Sequence, residues 1–131
     1  MRLELFEIYR MHLKSQDREL LQRFCSQFAD TRVFVPCASE SIRRSRVLHF
    51  SYKGQIAVPV FSSENRFRRW SNEHGDFAEP IRIGAGDLAL VLEPEVGLVL
   101  DPTYPMQLDI PAKHLAMIAD HAFGMQQLGN L

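Results

Sequence analysis

The chain has 131 residues, 46% hydrophobic and 24% charged, which is one domain with room for a core and little for a second. A net charge of −1 hides an asymmetry: residues 43–69 carry Arg43, Arg44, Arg46, Lys53, Arg66, Arg68 and Arg69 against Glu64 alone, while residues 70–131 carry Arg82 and Lys113 against nine acids. With nine Phe, three Tyr and one Trp spread along it, and only two Cys, the composition excludes global disorder, a membrane protein, a disulfide knot, a zinc module and a multidomain enzyme.

The first 29 residues read as helix. Leu5, Ile8, Tyr9 and His12 make one stripe, and Leu20, Leu21, Phe24 and Phe28 make a second at three-and-four spacing. Ser15 and Asp17 lie between the stripes and either suits an N-cap, so two helices broken near Ser15 are favoured over one. Residues 1–14 form the first of them. Arg32 to Val35 is a short strand ended by Pro36, and residues 37–45 are loop.

Val47 to Val60 reads as a hairpin. Leu48, Phe50 and Tyr52 alternate with polar neighbours, and Ile56, Val58 and Val60 alternate again. If both apolar sets share a face, a three-residue loop Tyr52-Lys53-Gly54 pairs Phe50 with Ile56 and Leu48 with Val58. A helix from Ser62 or Ser63 to about Glu73 follows, with Phe67 and Trp70 inward. Then come a strand (Ala78–Ile83), a short helix or turn (Ala85–Leu92), a strand (Gly97–Leu100), a Pro-rich turn (Asp101–Pro105) and a strand (Met106–Ile110). Pro111 opens a last helix striped by Leu115, Ile118, Ala119 and Ala122, closed at Gly124, with a frayed tail over 125–131. The fold expected is one α/β (α+β) domain over 1–131, a mixed and mainly antiparallel sheet of about five strands packed with helices.

The motifs are weaker than the pattern. Gly84-Ala85-Gly86-Asp87-Leu88-Ala89 has the letters of GxGxxA, but Pro94 cuts the helix short, so it reads as a tight turn before a short helix. His12, His49, His74, His114 and His121 form no HxH or HxxxH pair and read as surface or half-buried side chains. Cys25 and Cys37 read as reduced thiols of a cytoplasmic protein, and no metal or redox cofactor is expected. Glu4 and Glu7 interrupt the stretch that a secretory leader would keep apolar. Ser62 and Ser63 stand at a strand-to-helix junction, where large neighbours favour capping over a nucleophile elbow.

In order, these elements resemble the N-terminal domain of the bacterial SseB family. The resemblance runs from about Asp17 to Ile118 and is carried by Val58-Pro59-Val60-Phe61-Ser62-Ser63-Glu64 before a helix, and by Leu98-Val99-Leu100-Asp101-Pro102, where the family has Asn-Pro. The chain then looks like that domain without the second, C-terminal one of longer members. The resemblance implies an α/β domain and brings no catalytic residues.

The function expected is a non-enzymatic cytoplasmic binding or regulatory module. Arg43, Arg44, Arg46, Arg66 and Arg69 are the candidate surface for a protein partner or for self-association. The acidic second half argues against nucleic acid. The alternatives are a small-ligand-binding protein or enzyme with a pocket at Phe61, Ser62 and Ser63, and a chaperone-like adaptor for a secreted or toxic partner.

Overall fold

The computed structural model describes residues 3–37, 47–75 and 80–129. In chain order the elements are α1 (Leu3–Ser15), α2 (Arg18–Ala29), β1 (Arg32–Val35), β2 (Phe50–Tyr52), β3 (Gln55–Val60), α3 (Glu64–His74), β4 (Ile81–Gly84), α4 (Ala85–Val91), β5 (Gly97–Leu100), β6 (Leu108–Ile110) and α5 (Ala112–Gly129). This is an α+β fold with mostly antiparallel pairing. The strands divide into a pair, β1-β4, and a four-stranded sheet in the order β2-β3-β5-β6, in which only β3 and β5 run parallel. An antiparallel bridge between Phe34 and Phe61 joins the two sheets.

The helix break falls where the caps put it. Gln16 takes φ 59, a left-handed kink without glycine, and the Asp17 side chain accepts from the Glu19 amide at 2.9 Å to start α2. Ser15 instead donates back to the Met11 carbonyl. At the other end of the chain, α5 runs on through Gly124 to Gly129. Gly124 therefore does not close the helix, and Met125 to Leu128 are residues a helix readily accepts.

The hairpin register departs from the expected one. Lys53 (φ 51) and Gly54 (φ 80) form a two-residue turn, which places Phe50 opposite Ala57 and Tyr52 opposite Gln55. The three-residue loop fails because its premise fails: the two apolar sets lie on opposite faces. β3 is a central strand covered on both sides from Ala57 onward, so its side chains need not alternate in polarity.

Period-two geometry then sorts the layers. Val58, Val60, Leu98, Leu100, Leu108 and Ile110 face the main core, where they pack with α1, α2, α4 and α5. Phe61 lies on the reverse face and meets Phe67 and Trp70 of α3, at ring-centroid distances of 5.8 and 5.2 Å. Gly86 explains the glycine-rich letters: a Cβ there would stand 2.8 Å from the Ala122 Cβ and 3.0 Å from the Ala29 carbonyl. The glycine lets α4 sit against α2 and α5.

Phe67 is buried, whereas Trp70 is only half-buried, stacked on His74 at 5.1 Å, so the expected pair of inward rings is one ring and a partial second. Phe67→Ala should cost about 3–5 kcal/mol of unfolding free energy. Trp70→Ala should cost about half as much, in line with the apolar area it covers. Denaturant unfolding of both variants checks the order, and equal losses would contradict it.

Candidate ligand-binding site

The strand-to-helix junction is a closed structural joint. Phe61 is wholly buried, and Ser63 caps α3 by accepting from the Arg66 amide at 3.2 Å. Ser62 is committed to Asp101: its amide donates to Oδ1 and its hydroxyl to Oδ2, both at 2.8 Å. Asp101 is 0% exposed and receives Arg66 Nη1 at 2.6 Å. The Arg66 guanidinium also lies over the Tyr104 ring at 4.9 Å. Arg66 therefore serves the interior, while Arg69 stays exposed beside Trp70, Glu73, Thr103 and Tyr104. Arg43, Arg44 and Arg46 lie outside the described residues.

A cavity of about 430 Å³ opens at the other end of the same strands. Gln55–Ala57 of β3, Gly97–Val99 of β5 and Asp109–Ile110 of β6 form its floor, with the Lys53 turn on one side. Tyr9, His12 and Leu13 of α1 face Lys113 and His114, in the first turn of α5, across it. Gly97 is needed here, since a Cβ would meet the Ile110 carbonyl at 2.8 Å. The volume lies in the range of small-molecule sites, roughly 300–1,000 Å³.

Two histidine rings give the cavity its polarity. His12 is 5% and His114 is 8% exposed, correcting their reading as surface or half-buried groups, and their ring centroids stand 5.7 Å apart. His12 Nδ1 meets the Asp17 carbonyl at 2.8 Å. A carbonyl only accepts, so Nδ1 carries the proton, and Nε2 of the neutral ring is an acceptor. His114 Nδ1 meets the Tyr9 hydroxyl at 2.7 Å, much closer than that hydroxyl's other acceptor, the Asp109 carbonyl at 3.4 Å. With the hydroxyl proton directed at His114, its Nε2 is a donor; with the proton directed at the Asp109 carbonyl, His114 donates through Nδ1 and its Nε2 keeps a lone pair. Neither Nε2 has a protein partner among the described residues, and neither is sealed from solvent.

The surroundings hold these states. Burial, then the charges of Cys25 and Asp109, push the Tyr9 hydroxyl well above its ordinary pKa, keeping it a donor. Burial, Lys113 and His12 hold His114 below the ordinary histidine value. Burial pushes the Cys25 thiol up to about 11, so it is no ready nucleophile. Burial also acts to raise Asp109, but hydrogen bonds from Gln107 (2.8 Å), Lys53 (3.2 Å) and Tyr52 (3.1 Å) outweigh it and hold the carboxyl below its usual value.

Sequence reasoning missed this site because its members come from both ends of the chain. Tyr9 and His114 are 105 residues apart. The signal present was a histidine on an apolar helical stripe, His12 beside Leu5, Ile8 and Tyr9. Among the described residues no three His, Cys, Asp or Glu side chains group as a metal site, and no helix is long and apolar enough to cross a membrane. The family described as SseB protein N-terminal domain matches residues 7–117. No curated protein and no solved structure matches the chain.

Asp101→Ala should cost about 3 kcal/mol, because it strands the Ser62 amide and the Arg66 charge. Asp101→Asn should cost less, since Asn keeps an acceptor and suits the φ of 51 at this position. A loss within ~0.5 kcal/mol for the alanine variant would contradict the joint. His114 titrates with the opposite logic. Its folded pKa is lowered, so protonation disfavours the fold: its contribution is complete above the ordinary value of 6.5 and declines as the pH falls below it. Unfolding midpoints should drop in that window and drop less in His114→Gln; parallel curves would contradict a buried neutral ring.

Proposed function

The chain belongs to the SseB protein N-terminal domain family, and we propose that it works as a non-enzymatic binding module of regulatory type, with the cavity between α1, the β2–β3 hairpin and α5 as its working site. One observation carries this reading: two histidine rings, each more than nine-tenths buried, line an open cavity with Nε2 atoms that no group among the described residues uses. The protein holds each ring through its Nδ1 and leaves its Nε2 open to a ligand in the cavity. The serines that a hydrolytic reading would use are held by Asp101 and by the cap of α3. Leu13 and Ile56, 50% and 51% exposed at the cavity, let occupancy change the surface offered to a protein partner or a second copy. Two free, buried cysteines support a reduced, cytoplasmic setting.

The test is incubation of the protein with a metabolite extract of its host, followed by isolation and release of what it retains. A small molecule returned chemically unchanged, and lost when Ile56→Trp plugs the mouth, is the expected result. Time-dependent conversion of the molecule, or its retention by the plugged variant, would contradict the reading.

A further inference from the structure

We infer that the cavity takes a small organic acid: a carboxylate on an apolar stem, its oxygens received by the Nε2 atoms of His12 and His114. The inference rests on the reading that this cavity is the working site. His114 presents an N–H when its other nitrogen accepts the Tyr9 hydroxyl, the tautomer a carboxylate selects. His12 presents a lone pair, fixed by the Asp17 carbonyl. A carboxylate cannot donate to that lone pair, so the anion enters with one proton from solvent. The proton goes to His12 Nε2, both rings then donate, and the two hydrogen bonds are charge-assisted.

The charges around the rings favour the same sign of ligand. Tyr9 faces the rings from α1 as a neutral donor, and Cys25 of α2, behind His114, stays a thiol. Asp109 of β6 opposes an anion, but Lys53 of the hairpin pairs with it at 3.2 Å. Lys113 is left as a cation with no partner among the described residues, in the first turn of α5, at the positive end of that helix's dipole. The stem has its own surface. Leu13, Ile56 and Leu98 line the cavity with apolar atoms, which gives an inorganic anion no advantage.

Calorimetric titration of the full chain with hexanoate, acetate and hexan-1-ol separates charge from stem. Hexanoate should bind at least about tenfold tighter than either control. Its binding should take up a proton, seen as a heat that varies with buffer ionisation, and should strengthen from about pH 8 to about pH 6. Ring ¹⁵N shifts of His12 and His114 in the unmutated protein should move with saturation, and His12→Gln should lose about tenfold in affinity. Equal binding of hexan-1-ol, absence of proton uptake, unmoved rings, or no binding of hexanoate would each overturn the inference. A neutral molecule retained from the host extract and lost in Ile56→Trp would also overturn it while leaving the binding reading in place.

Discussion

A carboxylate without solvent contact holds the parallel pair β3 and β5 together. β3 and β5 end level, Val60 beside Leu100, and the Asp101 amide continues their ladder by donating to the Val60 carbonyl at 2.8 Å. The left-handed backbone at Asp101 then turns its side chain back across the strand ends, where it collects the Ser62 amide, the Ser62 hydroxyl and Arg66. A buried charge is tolerated only when it is paired and hydrogen-bonded, and here its partners come from the first residues after β3 and the first turn of α3. Three elements are fixed by one side chain. A residue with φ > 0 is best supplied by Gly, Asn or Asp, and of these only Asp also answers the Arg66 charge.

That joint leaves the opposite ends of β3 and β5 free to form a site. There the strands begin beside the Lys53 turn, α1 crosses over them, and α5 starts directly after β6. The main core holds these elements through Ile8, Tyr9, Leu98, Ile110 and Leu115, so the two histidines stand on rigid helices rather than on loops. The side-chain network of Tyr52, Gln107, Lys53 and Asp109 braces the neighbouring rim. That network flanks the cavity, while the Nε2 atoms of His12 and His114 have no protein partner among the described residues.

Local rules made most elements legible and made little of the site legible. Helix stripes, a break between Ser15 and Asp17, a hairpin within Val47–Val60 and a cap at Ser62 or Ser63 all follow from spacing and turn chemistry within a few residues. The hairpin register was not legible, because it depends on which face of β3 the rest of the fold covers. Trp70 shows the same limit: its stripe points toward Phe61, but how far it is covered depends on the turn after β5. Arg66 read as part of a charged surface because its partner, Asp101, is 35 residues on. The Tyr9–His12–His114 cluster is a further step removed, since a histidine's role is set by what lies opposite each ring nitrogen.

The most direct test of the site is therefore the protonation pattern of those two rings in the ligand-free protein, read from long-range ¹H–¹⁵N correlations at a pH above the histidine range. The account expects one fixed tautomer in each ring: His12 protonated at Nδ1, held by the Asp17 carbonyl, and His114 locked by the contact of its Nδ1 with the Tyr9 hydroxyl. A His12 ring protonated at Nε2, or two rings averaging freely between tautomers as exposed histidines do, would contradict preorganised rings and with them the cavity as a binding site.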